Sequence, residues 1–199
     1  MATRADLIEQ TNLAFDFIQK LYMEVSYLIK EVEGILSEER FVIGKPGGYG
    51  ITARRSSGLE STNVNLWLMR KFSVFFVPEE RTATKGGQLE THVDDSLKVL
   101  YLRFVLNDSI VKEPVVFSGV FHSISVNPQA KWVRKFENLM GYLEYIDNKV
   151  FQNPQRVDYE DKTVKLKGKL TKNNLFDIND SEAIVERIVR PMLELYGKY

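Results

Sequence analysis

The feature that most constrains this chain is a continuous apolar stripe over residues 4–36, which predicts one long amphipathic helix. No proline or glycine interrupts the stripe before Gly34, and at 1.5 Å per residue the helix would be roughly 50 Å long. One row of apolar residues alternates steps of three and four, with Thr11 as its polar gap: Leu7, Ala14, Ile18, Leu21, Val25, Leu28, Val32 and Ile35. A second row repeats every seventh residue beside the first: Ile8, Phe15, Tyr22, Ile29 and Leu36.

The length of this stripe leaves two interpretations open. The helix could lie across one face of a large sheet, or it could contact a second subunit, because long periodic patterns are typical of coiled coils and subunit interfaces. The two rows together are wider than the seam of a two-stranded coiled coil, which favours burial against several partners. We therefore expect the helix to cover a sheet and its overhanging part to mediate self-association, as in a homodimer.

Three long apolar segments at residues 66–77, 97–106 and 115–126 predict strands of a mostly antiparallel sheet. Strands that are apolar on both faces are usually covered on both faces. The short connection over 107–114 permits antiparallel pairing, whereas the longer polar connection over 78–96 predicts a loop. In the second segment the alternation separates two faces: Leu100, Leu102, Phe104 and Leu106 on one, and Val99, Tyr101 and Val105 on the other.

The remaining elements complete a single α+β domain over residues 1–199. The strand block spans residues 41–126, and Pro128 predicts the first turn of a helix over 129–147. A hairpin over 156–170 and a C-terminal helix over 180–197 follow, with Asn179 as the helix cap and a kink at Pro191. This order predicts a sheet of about five to seven strands with two further helices packed on it, rather than alternating βαβ units.

Composition excludes several classes of function. The chain has no cysteine, which excludes disulfides, thiolate nucleophiles and cysteine-based metal sites and fits a reducing compartment. Lysine and arginine total 27, as do aspartate and glutamate, so net charge gives no sign of nucleic-acid binding. We find neither an apolar run long enough to span a membrane nor a signal peptide, and we expect a cytoplasmic protein.

A glycine-rich segment at residues 44–50 is the first candidate ligand site. Backbone N–H groups of such loops can bind phosphate, and two arginines follow closely. The segment lacks the Ser or Thr and the following helix of a P-loop, so a structural turn is the simpler interpretation. The candidate ligand-binding residues are Lys45, Gly47, Gly48, Gly50, Arg54 and Arg55.

The two histidines of the chain suggest a metal site. His92 and Asp94 would point the same way from an extended segment, and His122 would lie on a neighbouring strand. Two histidines and one carboxylate are the ligands of non-haem iron sites. The alternative is that each histidine is an ordinary hydrogen-bonded residue, and apart from this hypothesis the sequence predicts no cofactor.

The hairpin contributes two charged candidates. Lys165, Lys167 and Lys169 alternate onto one strand face, where they could contact phosphates of nucleic acid or protect an edge strand against further pairing. Glu160 and Lys162 resemble the acidic-x-Lys step of metal-dependent nucleases, in which carboxylates hold Mg²⁺. The alternative to a nuclease-like site is a charged hairpin turn.

No catalytic motif stands out, and the residues do not identify a family. There is no Gly-x-Ser-x-Gly segment and no orienting acid near Ser123 and His122. We therefore predict a non-enzymatic binding protein that self-associates through its first helix. The alternative is a phosphate-substrate enzyme or nucleotide- or nucleic-acid-binding protein that uses loop 44–50 and the basic residues; zero net charge disfavours nucleic acid, and another protein partner stays open.

Overall fold

A computed structural model describes residues 3–44, 51–52, 68–85, 88–108, 111–146 and 153–199. The chain begins with a long helix, α1 (Arg4–Glu38), as the stripe predicts. The strands are β1 (Phe41–Ile43), β2 (Ile51–Thr52), β3 (Lys71–Pro78), β4 (Thr82–Lys85), β5 (Gln88–Thr91), β6 (Val99–Val105), β7 (Val115–Val126), β8 (Val157–Glu160) and β9 (Val164–Asn174). Within these ranges, helix α2 (Phe136–Tyr145) follows β7, and helix α3 over residues 181–198 follows β9. No helix among the described residues is long and apolar enough to cross a membrane.

The main sheet is antiparallel throughout, in the order β1-β3-β6-β7-β9-β8, with the short β2 also pairing with β3. The register places Tyr101 opposite Phe75 on one side and opposite Gly119 on the other. The α+β class with an antiparallel sheet is thereby confirmed.

Both faces of this sheet are covered, which explains why its central strands are apolar on both faces. On the first face the second half of α1 and helix α3 pack against a set that includes Phe72, Val74, Phe76, Leu100, Leu102 and Phe104. On the second face α2 packs against a set that includes Phe75, Val77, Val99, Tyr101 and Phe121. The alternation predicted for the 97–106 strand is confirmed: Leu100, Leu102 and Phe104 lie in the first core and Val99 and Tyr101 in the second, while Val105 lies in a smaller cluster with Val115 and Phe117.

One prediction about connections is wrong. Residues 78–96 contain a separate two-stranded sheet, β4 paired with β5, rather than a loop alone. The other strands were predicted from runs of apolar residues. Short polar strands such as Thr82–Lys85 contain no such run, so this pattern does not reveal them. The Gly86-Gly87 dipeptide in the sequence was the available hairpin signal.

The later helices differ in detail from the predictions. A 3₁₀ turn at Lys131–Arg134 precedes α2, and the extended backbone of Lys135 separates the two, so the region over 129–147 is not one helix. Asp180 rather than Asn179 caps α3, accepting a hydrogen bond from the Ala183 backbone N–H at 2.7 Å. A π-helical turn, Val185–Val189, comes shortly before Pro191. The helix is therefore wider just ahead of the proline, which has no backbone N–H to donate.

Candidate self-association surface

Helix α1 has a well-defined start. The Thr3 backbone N–H donates to the Asp6 carboxylate at 2.8 Å, and the Asp6 N–H donates to the Thr3 hydroxyl at 3.2 Å. This reciprocal capping box satisfies two N–H groups that the first turn would otherwise leave without partners. The backbone and side-chain hydrogen bonds from Thr3 also lower the pKa of Asp6.

The sheet buries only the second half of the α1 stripe. From Val25 onward the stripe enters the core, with Val32 and Leu36 at 0% exposure. Leu21 and Tyr22 mark the transition: both are half-buried, and the Tyr22 hydroxyl donates to the Met69 carbonyl at 3.0 Å. Every residue from 3 to 17 is exposed. The first half of the helix therefore projects beyond the sheet by roughly 20 Å.

The projecting half is apolar although it is exposed. Leu7, Ile8, Leu13, Phe15 and Phe17 each expose between 54% and 65% of their surface. Taking about 200 Å² for a large apolar side chain, these five expose roughly 600 Å². Monomeric proteins rarely expose apolar patches beyond a few hundred Å², and a stable interface buries about 800 Å² per partner. The exposed apolar surface of the projecting half thus lies between these two values.

A groove of about 390 Å³ adjoins the projecting half. One wall is α1 itself, through Leu21, Val25 and Leu28, and the other is the segment over residues 175–184. Apolar side chains form its floor, and Tyr27 and Phe176 stand at its edge with 63% and 59% of their surfaces exposed. Three acids also line it: Glu24, Glu31 and Asp180.

The candidate phosphate-binding residues Lys45, Gly47, Gly48, Gly50, Arg54 and Arg55 lie outside the described residues, so that hypothesis stays a prediction. Gly44, which precedes them, is buried, and a Cβ there would overlap the Phe136 ring. Its carbonyl accepts a hydrogen bond from the Thr91 hydroxyl at 2.8 Å. A cleft of about 800 Å³ nearby carries balanced charge: Arg81, Arg134 and Lys135 against Glu80, Glu90 and Glu137.

The structure brings two of the three candidate metal ligands together. His92 Nε2 lies 3.5 Å from a carboxylate oxygen of Asp94, which also accepts from Arg81 at 2.9 Å. Hydrogen bonds from Ser96, together with the charge of Arg81, hold the pKa of Asp94 below its usual value. Within the described ranges no group of three or more histidine, aspartate or glutamate side chains is placed to hold a metal ion.

His122, the third candidate ligand, belongs to a different arrangement. Its ring stacks on Tyr199 with centroids 4.0 Å apart, and its Nδ1 is 3.0 Å from the Ser123 hydroxyl. Burial lowers the pKa of His122, as do the charges of Lys167 and Lys98. Ser123 has a left-handed backbone, with φ at 51°, at the irregularity in β7 pairing.

The lysine stripe faces acids on the neighbouring strand. Strand β9 lies between β7 and β8, so protection of an edge strand is the wrong explanation for Lys165 and Lys167. Their register partners on β8 are Glu160 and Asp158, and the Lys165 ammonium lies 2.8 Å from the Glu160 carboxylate. Lys169 lies beyond the β8 pairing. The paired acids offset part of the charge that a nucleic-acid contact would require.

A buried ionic cluster beneath α2 was not predicted from the sequence. Arg103 forms an ion pair with Glu144 and donates to the Ser73 hydroxyl at 3.0 Å, and Ser73 in turn donates to the Tyr101 hydroxyl. The alternation of β6 held the signal, because Arg103 falls between Tyr101 and Val105 on a face that is otherwise apolar.

A second polar cluster lies at the β8–β9 turn. The Asp161 carboxylate accepts hydrogen bonds from the Tyr142 and Tyr159 hydroxyls and from the backbone N–H groups of Thr163 and Val164. Burial opposes ionisation, but these hydrogen bonds prevail and set the pKa of Asp161 at about 2. Burial and the neighbouring carboxylate raise the pKa of Tyr159. The cluster joins α2 to the hairpin.

No family model matches this chain, and neither a curated protein nor a solved structure shows significant similarity to it.

Proposed function

We propose that this protein is a binding protein that forms a homodimer through the projecting half of α1. The observation that supports this most strongly is the change in environment along one stripe. The same apolar periodicity runs along the whole stripe. After Leu21 its residues are buried against the sheet, and before Leu21 they are exposed to solvent. A helix face with this pattern is stable in water only when something covers it.

A second copy is the partner that best fits the size of the exposed surface. Roughly 600 Å² of apolar surface per chain, duplicated by a two-fold axis, approaches the area of a standard interface. The exposed apolar residues cover a wider part of the helix surface than the contact stripe of a two-stranded coiled coil. A single partner helix would therefore not cover all of them. The body of a second copy offers both a helix and a groove.

Size-exclusion chromatography with light scattering tests this proposal. At micromolar concentration we expect twice the monomer mass of 23.0 kDa. The double variant Leu13→Glu/Phe17→Glu should elute as a monomer, because two charges would enter the interface without partners. Gln19→Glu, an exposed change on the side of α1 that faces away from Leu13 and Phe17, is the matched control and should remain dimeric. A strictly monomeric wild-type protein would overturn the proposal.

A further inference from the structure

One line of side chains on α1 connects the projecting half to the groove. Leu13, Phe17, Lys20, Glu24, Tyr27 and Glu31 follow one another at steps of three and four residues, so they share one side of the helix. Glu24, Tyr27 and Glu31 also line the groove, while Leu13 and Phe17 are exposed at 61% and 63%. The line therefore runs from unburied apolar residues into the wall of an apolar groove.

The residue spacing along this line reads the same from its N-terminal end as from its C-terminal end. Its steps are four, three, four, three and four residues, and they are symmetric about position 22. If a second α1 packs antiparallel with a two-fold axis at that position, Phe17 faces Tyr27 of the other copy and Lys20 faces Glu24. Each of these pairs then occurs twice, as an isologous interface requires. The four inner residues of the line are thus complementary to themselves in charge and in aromatic content, while Leu13 faces Glu31 at each end.

We infer that two copies associate by crossing their α1 helices antiparallel about position 22, so that Leu13 and Phe17 of each copy occupy the groove of the other. The inference rests on the proposed homodimer and specifies its geometry. Phe17 would lie beside Tyr27 and close to Phe176, both of which are exposed at the groove edge. The arrangement covers Leu13 and Phe17 of the projecting half, together with the groove, in one contact.

Two other ways of pairing the helices fit the surface less well. A parallel pair would place Lys20 against Lys20 and Glu24 against Glu24, and like charges opposed across an interface are costly. An antiparallel pair centred near Asn12 would join only the projecting halves. It would leave the groove and the exposed rings of Tyr27 and Phe176 in solvent. Of these three arrangements, only the one centred at position 22 brings exposed residues of the projecting half, Leu13 and Phe17, to the groove.

Charge reversal is the first test of this geometry. Lys20→Glu should weaken the dimer by about tenfold or more in Kd, since it places two carboxylates together at both symmetric contacts. Glu24→Lys should do the same, and Lys20→Glu/Glu24→Lys should restore the wild-type Kd. Both side chains are exposed, so the circular dichroism of all three variants should be unchanged. A dimer that none of the three variants affects would overturn the arrangement while leaving the homodimer intact.

Distances between spin labels give the second test. The chain has no cysteine, so Asn12→Cys and Ser26→Cys each introduce a single labelling site on exposed positions. With the axis at position 22, the two Asn12 sites are about 30 Å apart along the helix and the two Ser26 sites about 12 Å apart. A parallel pair gives about 10 Å at both sites, and a pair centred at Asn12 gives about 40 Å at Ser26. Either of these last two patterns overturns the inference, whereas a monomer overturns the proposed function as well.

Discussion

Arg103 and Glu144 form an ion pair inside the protein, with 0% and 5% of their side-chain surfaces exposed. Arg103 projects from β6 and Glu144 from α2, so the pair joins the sheet to the helix that covers its second face. Removing two charges from water costs several kcal/mol per ion, and their attraction offsets that cost only when the geometry is good. We therefore expect this pair to contribute mainly to the position of α2 on the sheet, and to contribute little to the net free energy of unfolding.

The buried pair predicts a strongly non-additive response to mutation. Arg103→Met should destabilise the fold by about 3–5 kcal/mol, because it leaves the Glu144 carboxylate buried without its counter-charge. Arg103→Met/Glu144→Leu should recover most of that loss, since both charges are then gone. Urea unfolding of the two single variants and the double variant measures the coupling. Additive losses would show that the two side chains act independently.

Asp161 predicts an acid-sensitive part of the stability. Its folded pKa of about 2 lies below the ordinary value of 3.8, so its contribution is present above pH 3.8 and disappears as the pH falls toward 2. The shift corresponds to about 2 kcal/mol at most, and to about 1 kcal/mol once solvent screening is included.

Asp161→Asn tests this contribution. The variant should unfold more easily at pH 7 and lose less stability than the wild type between pH 4 and pH 2, as followed by urea titrations at each pH. Asp158→Asn, an exposed change on the same hairpin, is the control and should leave the acid profile unaltered. Identical profiles for Asp161→Asn and wild type would contradict the role of the turn cluster.

Two glycines in paired strands should not tolerate alanine. A Cβ at Gly119 would overlap the backbone carbonyl of Lys169, and a Cβ at Gly168 would overlap the Phe121 ring and the carbonyl of Val120. We expect Gly119→Ala to destabilise the protein by about 2 kcal/mol, because overpacking here displaces backbone rather than a flexible side chain.

The helical glycines provide the matched comparison for this effect. Around Gly34 and Gly141 a Cβ would meet no atom within 4 Å. Gly34→Ala should therefore stabilise the protein by about 0.5–1 kcal/mol, since alanine restricts the unfolded chain. Thermal unfolding of Gly119→Ala and Gly34→Ala decides the matter, and a shift of Tm in the same direction for both would refute the packing argument.

Self-association predicts that thermal stability depends on protein concentration. A partner that binds only the folded state raises Tm as the concentration rises above the dimer Kd. The Tm of the wild type should rise as the protein concentration is increased by about two orders of magnitude from the low micromolar range, and that of Leu13→Glu/Phe17→Glu should not. Differential scanning fluorimetry over that range is sufficient, and a concentration-independent wild type would count against a dimer.

The positions that could be predicted are those governed by local periodicity. The helix over residues 4–36 and the strand over 115–126 follow from spacing alone, because one face or both must be apolar over many residues. The hairpin of β4 and β5 was missed because its residues are polar, and the interruption at Lys135 because it depends on a single backbone conformation. The Arg103–Glu144 pair was missed because its two partners lie far apart in sequence.

The sequence by itself determined that α1 forms, that its apolar stripe is too wide for a simple coiled-coil seam, and that the central strands need cover on both faces. These are properties of residues within a few positions of one another, set by the 3.6- and 2-residue periods. Only the tertiary structure decided where the cover over α1 ends, so that Val32 is fully buried while Phe15 of the same stripe is 65% exposed. That boundary depends on how far the sheet extends beneath the helix, which is fixed by strand order and long-range pairing rather than by any local pattern.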